Sequence, residues 1–128
     1  MVADYNVYGL AENIHDFRLG NNYTQTFYAA DSGNPIDGNL YGTHPMYLET
    51  RYNGGATSSS HGVYARNAHA QEWLLRAKNI TYRTIGGSFD FYFLSGPTPK
   101  AVISQYQGGI VGYPIMQMVL LHWCIVQS

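Results

Sequence analysis

Two carboxylates, Asp31 and Asp37, stand six residues apart in the polar stretch Asp31-Ser32-Gly33-Asn34-Pro35-Ile36-Asp37-Gly38-Asn39. A pair of carboxylates is what glycoside hydrolysis uses, one as acid and the other as base or nucleophile. This stretch offers no apolar pocket to raise one of the two pKa values, so no catalytic residue is assigned. The same residue types form Asx turns and can simply shape a loop. Sugar binding is a third chemistry, in which acidic and amide groups bond hydroxyls and aromatic faces cover the C–H side of the ring. Phe27, Tyr28 and Tyr41 flank the stretch. The substrate-binding candidates are therefore Asp31, Asn34, Asp37, Asn39 and Tyr41, and the expected ligand is a carbohydrate.

Other reactive residues form no comparable group. The five histidines, His15, His44, His61, His69 and His122, show neither the i, i+2 nor the i, i+4 spacing of a compact metal site. No metal or other cofactor is expected. Gly9, Gly86-Gly87 and Gly108-Gly109 make neither a dinucleotide fingerprint nor a phosphate loop. Ser58-Ser59-Ser60-His61 sets hydroxyls beside an imidazole but lacks a nucleophile elbow, and a solvated loop is the better reading. Asn22-Tyr23-Thr24 and Asn79-Ile80-Thr81 are glycosylation sequons at predicted turns, which suits a secreted protein. A lone Cys124 excludes an internal disulfide.

Composition bounds what can hold these residues. The chain has 128 residues, 14 glycines, 12 tyrosines, five phenylalanines and two tryptophans, with seven basic and eight acidic side chains. That length suits one domain burying roughly two thirds of its extended-chain surface. A formal net charge of -1 with no basic run argues against nucleic acid as a partner. The apolar run near Val119-Leu120-Leu121 is interrupted by His122 and falls short of the ~20 residues of a membrane span. Met1 to Tyr5 has neither the basic nor the apolar region of a secretion signal, which is expected to lie outside these residues.

Short extended runs separated by turn residues predict an all-β fold, an antiparallel β-sandwich with one short C-terminal helix. The runs are Val7 to Leu10, Thr24 to Ala29, Met46 to Tyr52, His61 to Arg66, Glu72 to Arg76, Ile80 to Ile85 and Ser88 to Leu94. In the last run Phe89, Phe91 and Phe93 alternate, so they share one face, which is expected to be core. Asn53 to Ser60 reads as a flexible loop. Thr98 as N-cap and Pro99 at the first helical position open the helix, and Gly108-Gly109 is expected to stop it. The division is residues 1–96 as sandwich and 97–128 as linker helix and apolar tail.

The order of motifs resembles the α-glucosidases of glycoside hydrolase family 31, especially their secreted fungal branch. The resemblance is carried by Asn6-Val7-Tyr8-Gly9-Leu10-Ala11-Glu12, by Asp31 through Pro45, by Ser60-His61-Gly62-Val63-Tyr64, by Ile80 through Phe93, and by Gly96-Pro97-Thr98-Pro99. It covers the β-sandwich preceding the catalytic barrel and begins part-way through it, so earlier strands are expected to be missing. It places the catalytic aspartates on the barrel, in Trp-x-Asp-Met-Asn-Glu motifs that this chain does not contain. After Met118 the pattern breaks, and His122-Trp123-Cys124 is what remains of a barrel-strand segment. The family's long loop carries an Arg-Asp pair that shapes the outer sugar subsite. Asp31 matches the aspartate, and Ala30 stands where the arginine would be. The resemblance thus implies a carbohydrate-binding, non-catalytic relative of such a domain. The alternatives are a free-standing, self-associating lectin and an α-glucosidase in its own right. Unpaired sheet edges would make a homodimer.

Overall fold

The computed structural model describes residues 5–10, 12–29, 36–52 and 58–115. Among these, seven strands form: β1 (Tyr5–Gly9), β2 (Tyr23–Phe27), β3 (Met46–Tyr52), β4 (Ser58–Ala65), β5 (Gln71–Arg76), β6 (Asn79–Thr84) and β7 (Phe91–Gly96). One helix, α1 (Pro99–Tyr106), runs on into a π-helical turn, Gln107–Val111. The strands make two antiparallel sheets, ordered β1-β3-β4-β7 and β2-β5-β6. The expected all-β antiparallel architecture is what the chain adopts.

The strict alternation of a strand decides which side chains meet between the sheets. In β5 it buries Gln71, Trp73 and Leu75 and turns Glu72, Leu74 and Arg76 outward. Register then aligns Trp73 with Gln25 on β2 and Tyr82 on β6. The opposing sheet contributes Val7, Tyr47, Val63 and Ala65 to the same core cluster. Trp73 meets Tyr47 edge-on at 5.7 Å between centroids, and its indole N–H donates to Gln71 Oε1 at 3.1 Å. The indole thus has a partner for its one polar group. Glu49 is also buried, and it forms an ion pair with Arg51. Burial, reinforced by the Glu49 charge, pushes the Tyr47 phenol up to about 12.

A second cluster sits on the other face of the four-stranded sheet. Val102 and Tyr106 of α1 pack with Met46, Leu48, Tyr64 and Leu94. Gly62 makes the close approach possible, since a Cβ there would lie 2.9 Å from Val102 Cγ1 and 3.1 Å from Met46 Cε. Thr98 Oγ1 accepts from the Ala101 N–H at 3.2 Å, and Pro99 follows at the first helical position, as its sequence predicts.

Three expectations need correction. The phenylalanine face of Ser88 to Leu94 is core only at Phe91, which is half-buried and packs against the main cluster. Strand β7 begins only at Phe91, and Phe89 and Phe93 are 76% and 77% exposed, because β6 is the last described strand of the facing sheet and covers Phe89 only at one edge, through Tyr82 at 6.0 Å. Ser58 to Ser60 belong to β4 rather than to a loop, with Ser60 buried and its hydroxyl bonded to Thr50 Oγ1 at 3.1 Å. Gly108-Gly109 does not stop the helix. The π-helical turn carries the chain through both glycines to Gly112, whose φ of 82° supplies the break. The expected tail after Met118, with His122-Trp123-Cys124, lies outside the described residues.

Candidate functional site

The loop candidates meet the rest of the protein through one antiparallel and one parallel bridge. Residues 12–14 run beside 36–40, with Asn13 opposite Asn39 and Ile14 opposite Ile36. Backbone bonds from Asp37 N to Ile14 O at 3.1 Å and from Leu40 N to Glu12 O at 2.9 Å tie the segments. The Glu12 carboxylate accepts from Gly42 N at 2.8 Å. Asp37 itself holds a φ of 58°, a left-handed conformation that aspartate tolerates better than most residues.

This frame sets Asp37 against His15. Imidazole Nδ1 lies 2.8 Å from Asp37 Oδ1, and 60% of the Asp37 side chain remains exposed. Below it the His15 ring stacks on Tyr23 at 4.2 Å with an interplanar angle of 7°. Tyr23 is held in turn. Its hydroxyl accepts from Asn13 Nδ2 at 2.7 Å and donates to Gln25 Oε1, an oxygen that also takes a bond from Asn13. Gln25 is fully buried and completes its bonding through Nε2 to Thr26 O at 3.0 Å. Burial above all, and the Asp37 charge as well, raise the Tyr23 pKa against the opposing Asn13 hydrogen bond. The phenol therefore stays a neutral donor.

The remaining candidates fall into different settings. Tyr41 is 60% exposed beside the pair of segments. Asn39 is buried, and its amide nitrogen donates to Leu40 O at 2.9 Å and to Gly42 O at 3.0 Å, so it braces the loop from inside. Its Oδ1 finds no protein partner. Asp31 and Asn34 lie outside the described residues. Asn22 and Asn79 are both exposed at turns, the second at the first residue of β6. Among the described residues no group of three or more His, Cys, Asp or Glu side chains could hold a metal ion.

The arrangement can present one oriented carboxylate and an imidazole to a polyhydroxylated ligand. Reading the sequence did not single out His15, which lies 22 positions from Asp37. A signal for the buried network was present, however. The alternation Tyr23, Gln25, Phe27 places an amide on an apolar face, where it must find partners.

Comparison with known proteins agrees with the motif order. No protein-family model matches the chain. An α-glucosidase of Aspergillus niger is 45% identical over 89% of the chain, and an uncharacterized family 31 glucosidase of Schizosaccharomyces pombe is 48% identical over 96%. The chain is homologous to one stretch of the family 31 glucosidases. Glucoamylase 1 of Schwanniomyces occidentalis is 46% identical over 85% of it. The family 31 relationship is confined in extent, since the chain spans only 14%, 13% and 11% of those three proteins. The catalytic barrel of such a glucosidase is absent from the described residues, which form two sheets and a helix. No described helix is long and apolar enough to cross a membrane.

Proposed function

We propose that this chain is a non-catalytic, carbohydrate-binding β-sandwich of the family 31 α-glucosidase type, secreted and glycosylated at Asn22 and Asn79. The observation that carries the binding role is the His15–Asp37 pair. A carboxylate that is already oriented by an imidazole, yet still mostly open to solvent, can accept from sugar hydroxyls without first losing rotamer freedom. Exposed Tyr41 follows four residues later in the chain and offers a ring face, and Asp31 and Asn34 belong to the adjoining stretch. Relatives named as α-glucosidases support an α-glucoside as the sugar class.

Catalysis by the chain alone is disfavoured by the same geometry. A retaining glycosidase needs two carboxyl groups about 5–5.5 Å apart with their pKa values driven apart. Among the described residues the close charged partner of Asp37 is an imidazole rather than a second carboxyl group.

Calorimetry with maltose tests the reading, with binding expected in the millimolar range, about −4 kcal/mol. Asp37→Ala should weaken it at least fivefold. Absence of heat at sugar concentrations well above that range removes the binding role. Release of nitrophenol from a nitrophenyl α-glucoside, abolished by Asp37→Asn, would overturn the non-catalytic reading. Expression in a secretory host should add glycan mass that Asn22→Gln and Asn79→Gln each reduce.

A further inference from the structure

Asp37 is followed by Gly38, the one Asp-Gly step in the chain. At such a step a carboxyl carbon and the next backbone nitrogen meet with least hindrance, since glycine has no Cβ beside that nitrogen. A bond between the two closes a five-membered imide ring. The fold prepares both partners.

Asp37 holds a φ of 58°, a region in which the Cβ of an L-residue is crowded and the backbone stores strain. Its neighbours are tied down. Asp37 N and Leu40 N donate across to Ile14 O and Glu12 O, whereas no acceptor among the described residues takes up the Gly38 N–H. The carboxyl group is also held, with Oδ1 2.8 Å from His15 Nδ1. A carboxylate only accepts, so Nδ1 carries the proton of that bond. The stack on Tyr23, at 4.2 Å between centroids, fixes the imidazole in turn.

We infer that Asp37-Gly38 is a self-modifying site, at which the folded chain converts Asp37 to isoaspartate with His15 as the acid. In its protonated form His15 passes the Nδ1 proton to Oδ1. The Gly38 nitrogen bonds to Asp37 Cγ, and the bond from Cγ to the protonated oxygen breaks. That oxygen leaves as water, with the imidazole's proton and the amide proton, and the imide remains. Water then reopens the ring. Where it adds to the former main-chain carbonyl carbon, the C–N bond there breaks, the chain continues through the side chain, and a free carboxylate is left on Cα. One water leaves and one returns, so no co-reactant is needed.

The product carries one more main-chain carbon, about 1.5 Å of added path. That insertion falls between two bridges, Ile14 with Ile36 and Asn13 with Asn39, which bracket the site. It also releases the left-handed φ and takes the carboxylate away from the end of the side chain that His15 holds. Conversion therefore unfastens residues 36–42 from residues 12–14. The chemistry stands independently of sugar binding, because its readout is covalent.

Peptide mapping of the purified folded chain tests it, after storage for several weeks at body temperature and slightly acid pH. Electron-transfer fragmentation distinguishes isoaspartate from aspartate at position 37, and the imide is a form one water lighter. Isoaspartate is expected there, appearing at least threefold faster than in the same chain unfolded in guanidinium chloride. Gly38→Ala should slow the conversion at least tenfold. His15→Gln keeps a hydrogen-bond donor but has no proton to give, and it should slow the conversion at least threefold. Near-UV circular dichroism of each variant establishes that the fold is kept, and two independent positions guard against one failing to fold. Aspartate left unchanged at position 37 overturns the inference. So does conversion that is as fast in the unfolded chain, and so does a folded His15→Gln chain that converts at the unaltered rate.

Discussion

The rings of His15 and Tyr23 lie parallel at 4.2 Å, and the imidazole is bonded on its other side to Asp37. An exposed carboxylate is thereby connected to the buried hydroxyl and amide network of Asn13 and Gln25. Removing the imidazole and removing the phenol hydroxyl should have different signatures. His15→Ala should lower maltose affinity about three- to tenfold, near the ~1 kcal/mol of one hydrogen bond, with little change in unfolding. Tyr23→Phe leaves half-buried Asn13 and buried Gln25 short of a partner and should cost about 1–3 kcal/mol in urea denaturation. An unchanged urea midpoint for Tyr23→Phe would show that the network is not what anchors the loop.

Gly62 is the contact point between α1 and the four-stranded sheet. Gly62→Ala should destabilise by about 1–3 kcal/mol, because the added methyl must displace Val102 and Met46. Adding Val102→Ala opens space for that methyl. The double variant should then lose less than the two single losses combined, a coupling readable in a denaturation cycle.

The start of α1 offers a smaller and cleaner measurement. Thr98 is exposed and its hydroxyl serves one backbone N–H, so Thr98→Ala should cost about 1 kcal/mol while Thr98→Ser costs almost nothing. Equal losses for both would assign the role to the threonine methyl instead.

Stability should also depend on pH through His44. Its ring packs with Tyr64 and Tyr106, Nε2 lies 2.7 Å from the Tyr106 hydroxyl, and burial lowers its pKa below 6.5. As pH falls through the ordinary histidine value, the unfolded chain takes up a proton that the native ring still refuses. Stability therefore declines on that side, and it is fully present above it. Urea midpoints at about pH 7.5 and about pH 5.5 should differ more for the natural chain than for His44→Gln. Identical pH dependence in the two proteins would exclude His44 as a source.

Turn chemistry and alternation made the sheet largely legible. Met46 to Tyr52 is β3 with the bounds its sequence predicts, and Thr98-Pro99 opens α1. What alternation cannot report is whether a cover exists. It groups Phe89, Phe91 and Phe93 on one face, yet the fate of that face depends on a strand that the described residues do not supply. The site was legible in its composition but not in its pairing. Asp37 and Tyr41, proposed as sugar ligands from the sequence, both lie exposed. The partner that orients Asp37 comes from the segment before β2, through two isolated bridges that no local pattern encodes.

Arg76 has a consequence for the topography of the whole sandwich. Its guanidinium donates to Tyr23 O at 2.9 Å and to Thr24 Oγ1 at 3.1 Å, while its backbone pairs with Asn79 across the β5–β6 hairpin. One residue thus joins both sequon-bearing turns at the same end of the three-stranded sheet, by its side chain to one and its backbone to the other. Glycans placed there would form a single hydrated cap and close that end to other proteins. Approach to the sandwich would then be channelled to its flanks, giving a molecule with one shielded pole and an inherent orientation toward whatever it meets.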